Sequence, residues 1–227
     1  MTLKTIATGS SGNCHALINE NEILLLDLGV SAKEIKRGID YRISDVVGAV
    51  VTHWHLDHSK SVKDFEDMGT QIWKPYSESN LTDRMNFGKF FIQCFPLSHN
   101  GVANFGFYIK VDDQKILYLT DFEYCKFTFQ SLEVQHILIE ANYISELVNR
   151  DIPNYEHKLR GHCSLQTCCN FIKANKTNTL RNVILCHLSN KNSDSDKMVA
   201  EVQKVAGNAN VNVAEVGKEF ALSLYPF

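Results

Sequence analysis

The chain has 227 residues, 44% of them hydrophobic and 22% charged, which supplies enough apolar material for a sizeable core in one large domain. Its net charge of −3 excludes a global basic field of the kind that long polyanions attract. A local basic patch remains in Lys33, Lys36, Arg37, Lys60 and Lys63, residues that also suit a solvated helix face. No run approaches the roughly 18–20 apolar residues of a membrane span, so no membrane partner is expected. The segment Met1–Ile6 has the character of a strand and lacks a signal-peptide core. Seven cysteines (Cys14, Cys94, Cys125, Cys163, Cys168, Cys169 and Cys186) are scattered without C-x-x-C spacing, several of them in apolar surroundings. That usage points to a reduced cytoplasmic location and argues against a structural zinc knuckle. With no internal repeat or low-complexity linker, a single domain over residues 1–227 is expected.

Taken in order, residues 2–7 read as a strand leading into Thr8-Gly-Ser-Ser-Gly-Asn, a loop rich in small polar residues. Residues 14–19 and 22–27 form a predicted hairpin across Glu20-Asn21, its second strand ending on Asp27. Ser31 with Glu34 makes a capping box, which predicts a helix over 31–40. The β-branched run 46–51 reads as a buried strand, followed by a polar loop and then a helix over 59–68 closed by Gly69. Beyond it the pattern predicts a short strand at 71–74, a helical turn at 78–84, a strand at 90–97 and a hairpin of 105–111 with 115–119. A strand at 136–140, a polar segment to about Arg160, and a helix from Ser164 to about Ala174 come next. The chain closes with a strand at 183–186, a helix at 194–206, and a hairpin of 211–216 with 219–224. Strands with helices inserted after every few of them suit two sheets packed face to face with helices outside.

The chemistry gathers at strand ends. Directly behind the run at 46–51 stands T-H-W-H-L-D-H-S, which places His53, His55, Asp57 and His58 within six residues. Later strands end in His99, Asp121 and His187. Open α/β architectures place their ligands at such C-terminal ends. Imidazole and carboxylate without thiolate favour zinc, manganese or iron, and seven such groups suit a pair of divalent cations. Two metals a few ångströms apart can generate a hydroxide near neutral pH and neutralise a developing oxyanion, which suits attack on a phosphoester. His15, His136 and His157 have no such company and read as structural or surface residues.

The residues T-H-W-H-L-D-H, S-H at 99, L-T-D at 121 and C-H at 187 resemble, in order and spacing, the metallo-β-lactamase superfamily. The resemblance spans nearly the whole chain and implies an αββα sandwich, an α/β fold with two packed mixed sheets, carrying a dinuclear site of two divalent ions, zinc or manganese. It implies that His53, His55 and His99 hold one metal, that Asp57, His58 and His187 hold the other, and that Asp121 bridges them. Asp27 matches the structural aspartate that braces the ligand loop. The segments A-T-G-S-S-G-N-C, L-L-D-L-G-V-S, S-H-N-G, R-G-H-C-S and H-L-S-N-K-N-S are similar to the WalJ/YycJ-like branch, described as DNA exonucleases. A related group of phage enzymes degrades cyclic-nucleotide immune signals. The chain departs from the pattern at Asn100, where Asp is expected, and at Cys163, where Leu is expected; both lie near the substrate side.

The resemblance therefore implies a phosphodiesterase acting on a nucleotide phosphodiester, with a cyclic nucleotide as the first substrate expected and DNA exonuclease activity beside it. Asp57 would orient the attacking hydroxide and His162 would protonate the leaving oxygen. Ser10, Ser11 and Asn13 could hold phosphate oxygens, or the loop could be a plain Gly/Ser turn. The aromatics Trp54, Phe122, Tyr124, Tyr143 and Tyr155 could stack a base or belong to the core. A glyoxalase II-like thioester hydrolase shares the first motif, but that group carries an extra C-terminal helical region. A homodimer follows from family habit.

Overall fold

The computed structural model describes residues 1–77, 82–149, 151, 155 and 159–222. Its thirteen described strands are β1 (Thr2–Ala7), β2 (Cys14–Asn19), β3 (Glu22–Leu26), β4 (Val46–Val50), β5 (Ile72–Trp73), β6 (Arg84–Phe87), β7 (Phe90–His99), β8 (Val102–Val111), β9 (Gln114–Leu119), β10 (His136–Glu140), β11 (Asn182–Cys186), β12 (Asn210–Val213) and β13 (Glu219–Ala221). The described α-helices are α1 (Ala32–Gly38), α2 (Leu56–Ser59), α3 (Val62–Asp67), α4 (Leu165–Asn175) and α5 (Ser195–Ala206). Six strands run in the order β13-β1-β2-β3-β4-β5 and seven in the order β12-β11-β10-β9-β8-β7-β6. Both sheets are mixed, as the α/β reading requires: β3 pairs antiparallel with β2 and parallel with β4, while β6 is antiparallel to β7 and β10 parallel to β11.

Two compact units share the chain. The first comprises Met1–Cys94, Ile109–Gln114 and Ala214–Phe227. Its β3 reads Glu-Ile-Leu-Leu-Leu; β2 and β4 pair with its two edges, and Ile23 to Leu26 are all buried, so the strand is covered on both faces. Burial of each such side chain contributes about 1.5–3 kcal/mol. Ile35 of α1, Phe65 of α3 and Val51 join the same core. The second unit comprises Phe95–Tyr108 and Lys115–Val213. It is built on the parallel run β9-β10-β11-β12 with an aromatic cluster in which Phe129 lies 4.7 Å from Phe95 and 6.1 Å from Phe171.

Local chemistry accounts for most element boundaries. The capping box forms as read, with Ser31 accepting from the Glu34 N–H and the Glu34 carboxylate accepting from the Ser31 N–H. Ser164 and Asp194 cap α4 and α5 through the N–H groups of Thr167 and Lys197. The helix expected over 59–68 is instead two short ones. Helix α2 starts earlier, at Leu56, so Asp57 and His58 ride on a helical turn rather than a loop. The break falls at Ser61, whose N–H donates to the Leu28 carbonyl and whose hydroxyl donates to that of Val30, pulling the chain off the helical path. Gly69, at φ +86°, closes α3 as expected.

Two expectations fail. Part of the helical turn expected at 78–84, residues 78–81, lies outside the described residues; Arg84 opens the strand β6, which turns into β7 over Gly88 at φ +51°. The closing hairpin of 211–216 with 219–224 does not form: β12 joins β11 in parallel while β13 pairs with β1 in the other sheet. Gly217, at φ +85°, donates its N–H to the Thr5 carbonyl and redirects the chain to β1. Residues 223 and 224 of that expected hairpin lie outside the described residues. None of the seven cysteines is in a disulfide, six of them being buried, and no described helix is long and apolar enough to cross a membrane.

The turn after β3 shows how closely the first unit is fitted around the histidine motif. A Cβ on Gly29 would stand 1.7 Å from the Asp57 carbonyl oxygen and 2.7 Å from the Asn13 nitrogen. Both are backbone atoms with no rotamer to yield. Gly29→Ala is accordingly expected to cost about 1–3 kcal/mol through overpacking, read as a lowered Tm in thermal denaturation. An unchanged Tm would mean that the segment at Asp57 relaxes without resistance.

Candidate metal centre

In the first unit the histidine motif begins where β4 delivers Val51 and Thr52 into the core. Asp27 leaves β3 in the left-handed region, at φ 60°, a conformation that costs a non-glycine residue about 1 kcal/mol or more. From there its carboxylate reaches the motif. Its Oδ1 accepts from the Thr52 N–H at 2.8 Å, and its Oδ2 accepts from His58 Nδ1 at 2.7 Å. A carboxylate on Nδ1 fixes the proton there and leaves Nε2 as the donor nitrogen, which is how ligating histidines are oriented. His58 Nε2 stands 3.5 Å from Asp57 Oδ2. His53 Nε2 and His55 Nδ1 stand 2.9 Å apart. Ligands on a tetrahedral zinc, each about 2.0–2.1 Å from it, are separated by about 3.3 Å. Asn13 is buried, with Oδ1 accepting from Gly9 N–H and Nδ2 lying 3.0 Å from His58 Nε2.

In the second unit β7, β9, β10 and β11 end on chemistry-bearing residues. His99 is the last residue of β7, and its Nδ1 donates to the Gly161 carbonyl at 2.7 Å, again reserving Nε2 as a donor nitrogen. Gly161 is required there: at φ +86°, its missing Cβ would lie 2.4 Å from His99 Nδ1. Asp121 and His187 both adopt left-handed backbone, at φ 51° and 53°. His187 Nδ1 is hydrogen-bonded to Asp121 Oδ1 and lies 3.3 Å from Glu140 Oε1. His162 Nδ1 donates to Glu140 Oε1 at 2.8 Å and lies 3.4 Å from Asp121 Oδ1. Glu140 is fully buried, its Oε2 accepting from the N–H groups of Phe122 and Cys163.

Burial opposes a charged imidazole at these positions. The carboxylates of Glu140 and Asp121, by charge and hydrogen bonding, outweigh it, raising His162 to about 11 and His187 to about 9. Burial likewise opposes the Glu140 carboxylate, and the charge of His162 and the bonds from both histidines bring its pKa below the usual value. Two buried carboxylates in contact with two imidazoles demand positive charge, and a divalent cation supplies it as protons do. Asp121, Glu140, His162 and His187 offer ligand atoms within 4.8 Å of one another. Nitrogen and oxygen donors with their outer partners in place fit zinc or manganese.

A family model described as the metallo-beta-lactamase superfamily matches residues 7–70. The chain is 26% identical over 219 residues to the exodeoxyribonuclease WalJ of Streptococcus pneumoniae, covering 83% of this chain and 81% of the relative. Both matches support the resemblance to the metallo-beta-lactamase superfamily carried by the histidine motif. The chain is also 22% identical to the exodeoxyribonuclease YycJ of Bacillus anthracis, over 92% of this chain and 90% of the relative. The metallo-beta-lactamase fold protein YhfI from Bacillus subtilis superposes with a TM-score of 0.74 at 16% identity, covering 96% of this chain and 98% of that one. The metallo-beta-lactamase fold expected from the sequence is the fold named for that structure.

Each unit brings together its share of the residues singled out from the sequence: His53, His55, Asp57 and His58 in the first, His99, Asp121, His162 and His187 in the second. Ser11 is exposed and Ser10 is exposed beside it, while Asn13 is turned inward. Glu140 was missed. Its signal was there, since H-I-L-I-E is an apolar strand ending on an acid, as I-L-L-L-D does at Asp27. His15 and His136 are buried and hydrogen-bonded to Thr5 and Asn182, the structural reading; His157 lies outside the described residues. Of the aromatics, Phe122 is core, whereas Trp54 and Tyr124 are each 58% exposed.

Proposed function

We propose that this protein is a metal-dependent phosphodiesterase that hydrolyses nucleic-acid phosphodiesters, in keeping with its exodeoxyribonuclease relatives. The reading rests most on His162, a proton-bearing imidazole held by the buried carboxylate of Glu140 and set 3.4 Å from Asp121. Such a group is what departure of an alkoxide from phosphorus requires. In this proposal the two units act as one metallo-hydrolase domain over residues 1–227. His53, His55 and His99 would hold one divalent ion, and Asp57, His58 and His187 the other, with Asp121 shared. When bound, the ions would lower the pKa of water and neutralise charge developing on the phosphoryl oxygens. Asp57 would orient the attacking oxygen, His162 would protonate the leaving oxygen, and Ser10 and Ser11 would receive phosphate oxygens. Zinc is the expected metal, with manganese as the alternative; dimer formation is part of the same proposal.

A second reading, hydrolysis of a cyclic mononucleotide, draws on Trp54, whose exposed ring beside His55 could stack a single base. A substrate panel on zinc- or manganese-loaded protein decides between the two. Shortening of end-labelled DNA is expected, with slower cleavage of 3′,5′-cyclic mononucleotides and measurable turnover of bis(p-nitrophenyl) phosphate. Preference for the cyclic substrates would install the second reading. Inertness towards all of them, with activity on a thioester, would replace both by a glyoxalase II-like hydrolase.

A further inference from the structure

A cleft of about 510 Å³ opens in the first unit, lined among others by Lys4, Thr8, Ser11, Glu34, Arg37 and Lys60. Its charges are not equally available. Lys4 is engaged by Asp40 and Glu219, each at 3.1 Å. Glu34 is held by the N–H and hydroxyl of Ser31 at the cap of α1. Arg37 and Lys60 are exposed, and neither enters an ion pair among the described residues. The Glu34 carboxyl is nevertheless lowered, chiefly by the Ser31 hydrogen bonds and further by Lys60 and Arg37, so both cations bear on one spot. The cleft therefore presents two uncommitted cations and two hydroxyls against one carboxylate already in use.

Its place in the chain gives it meaning. Lys60 directly follows α2, the turn that carries Asp57 and His58. Ser11 stands two residues before Asn13, whose N–H donates to the Asp57 carbonyl at 2.7 Å. Two residues span at most about 7 Å of chain. The cleft thus adjoins, through one loop, the segment that presents the ligands. A strand whose terminal phosphodiester lies at those ligands carries further phosphates at regular intervals, each needing a cation. We propose that this cleft is a subsite for the backbone phosphates of a nucleic-acid strand, contacted by Arg37 and Lys60 with Ser11 and Thr8 as hydroxyl donors. The proposal rests on the phosphodiesterase reading for its choice of ligand.

The test is equilibrium binding of a fluorescein-labelled, phosphorothioate-linked oligothymidylate to metal-loaded protein across a salt series. That probe keeps the backbone charge and resists hydrolysis. The double variant Arg37→Ala/Lys60→Ala is expected to bind on the order of tenfold more weakly, with the slope of log K against log salt reduced by about 1.4, roughly 0.7 for each cation removed. Lys33→Ala/Lys36→Ala removes the same amount of charge outside the cleft, from α1, the helix that carries Arg37, and is expected to keep the wild-type slope. Circular dichroism and melting establish that both variants are folded. Equal losses in the two variants, or wild-type affinity in the first, would overturn the subsite. Thymidine monophosphate binding as tightly as the strand, and lost with it, would make this a small-phosphate site and also overturn it. Hydrolysis by the wild-type protein is measured separately, so an inert enzyme that still loses strand affinity in the first variant would fault the phosphodiesterase reading and uphold the cleft.

Discussion

An Asp121→Ala variant is expected to lose phosphodiester hydrolysis by on the order of 10³-fold or more while remaining folded. Asp121 is buried, is bonded to His187, and stands beside His162, so its carboxylate is the charge on which the two imidazoles of the second unit converge. Removing it deletes the proposed shared ligand and leaves His187 Nδ1 facing Glu140 and the Thr120 hydroxyl. The backbone at this position should survive. Asn104 holds it through the carbonyls of Thr120 and Asp121, at 3.0 and 2.6 Å, and alanine removes neither. The left-handed φ of 51° adds a cost of about 1–2 kcal/mol that asparagine, which visits that region readily, would escape. Asp121→Asn therefore separates strain from charge: it should match the alanine variant in lost activity and exceed it in Tm. Elemental analysis should find fewer metal equivalents in both. Full activity with full metal content in Asp121→Ala would sink the dinuclear model.

Much of this site is legible in the sequence because its ligands sit where strands stop. Apolar runs such as 46–50 and 182–186 are recognisable by their β-branched and aliphatic residues, and the first histidines after them are His53 and His187. What cannot be read is backbone sign. Asp27, Asp121 and His187 each leave or follow a strand at positive φ, and nothing in an aspartate or histidine announces it. Those three turns aim the side chains. Glu140 escaped for a related reason, since an acid closing an apolar strand gains its role only from His162, far along the chain and brought to it by the fold. Sheet membership was equally hidden at the C-terminus. Strand segments of similar length separated by a glycine turn suggest a hairpin, but pairing of β12 with β11 and of β13 with β1 is decided by partners distant in sequence.

His162→Ala is expected to slow cleavage of DNA by about 10²–10⁴-fold with metal content retained, the usual worth of a positioned proton donor. His162 is partly exposed at the mouth of its cluster, whereas Glu140 behind it is sealed from solvent, so the imidazole is the member of the pair that can meet a substrate. The discriminating measurement is the leaving group. An alkoxide departing from a DNA strand needs a proton, whereas p-nitrophenolate leaves unaided, so bis(p-nitrophenyl) phosphate should lose far less of its rate than DNA. Equal losses on both substrates would mean that His162 holds substrate or metal and is not the acid. Glu140→Gln probes the same proton from behind. An amide can still accept from the Phe122 and Cys163 N–H groups through its oxygen, but its nitrogen then faces His162 Nδ1 and cannot accept from it. That variant should reproduce the leaving-group pattern at smaller amplitude and lose about 1–3 kcal/mol of stability, the cost of a buried donor deprived of its acceptor. A stability loss without the leaving-group pattern would make Glu140 a brace for the Phe122 and Cys163 backbone alone, and the orientation of His162 would then have to come from Asp121.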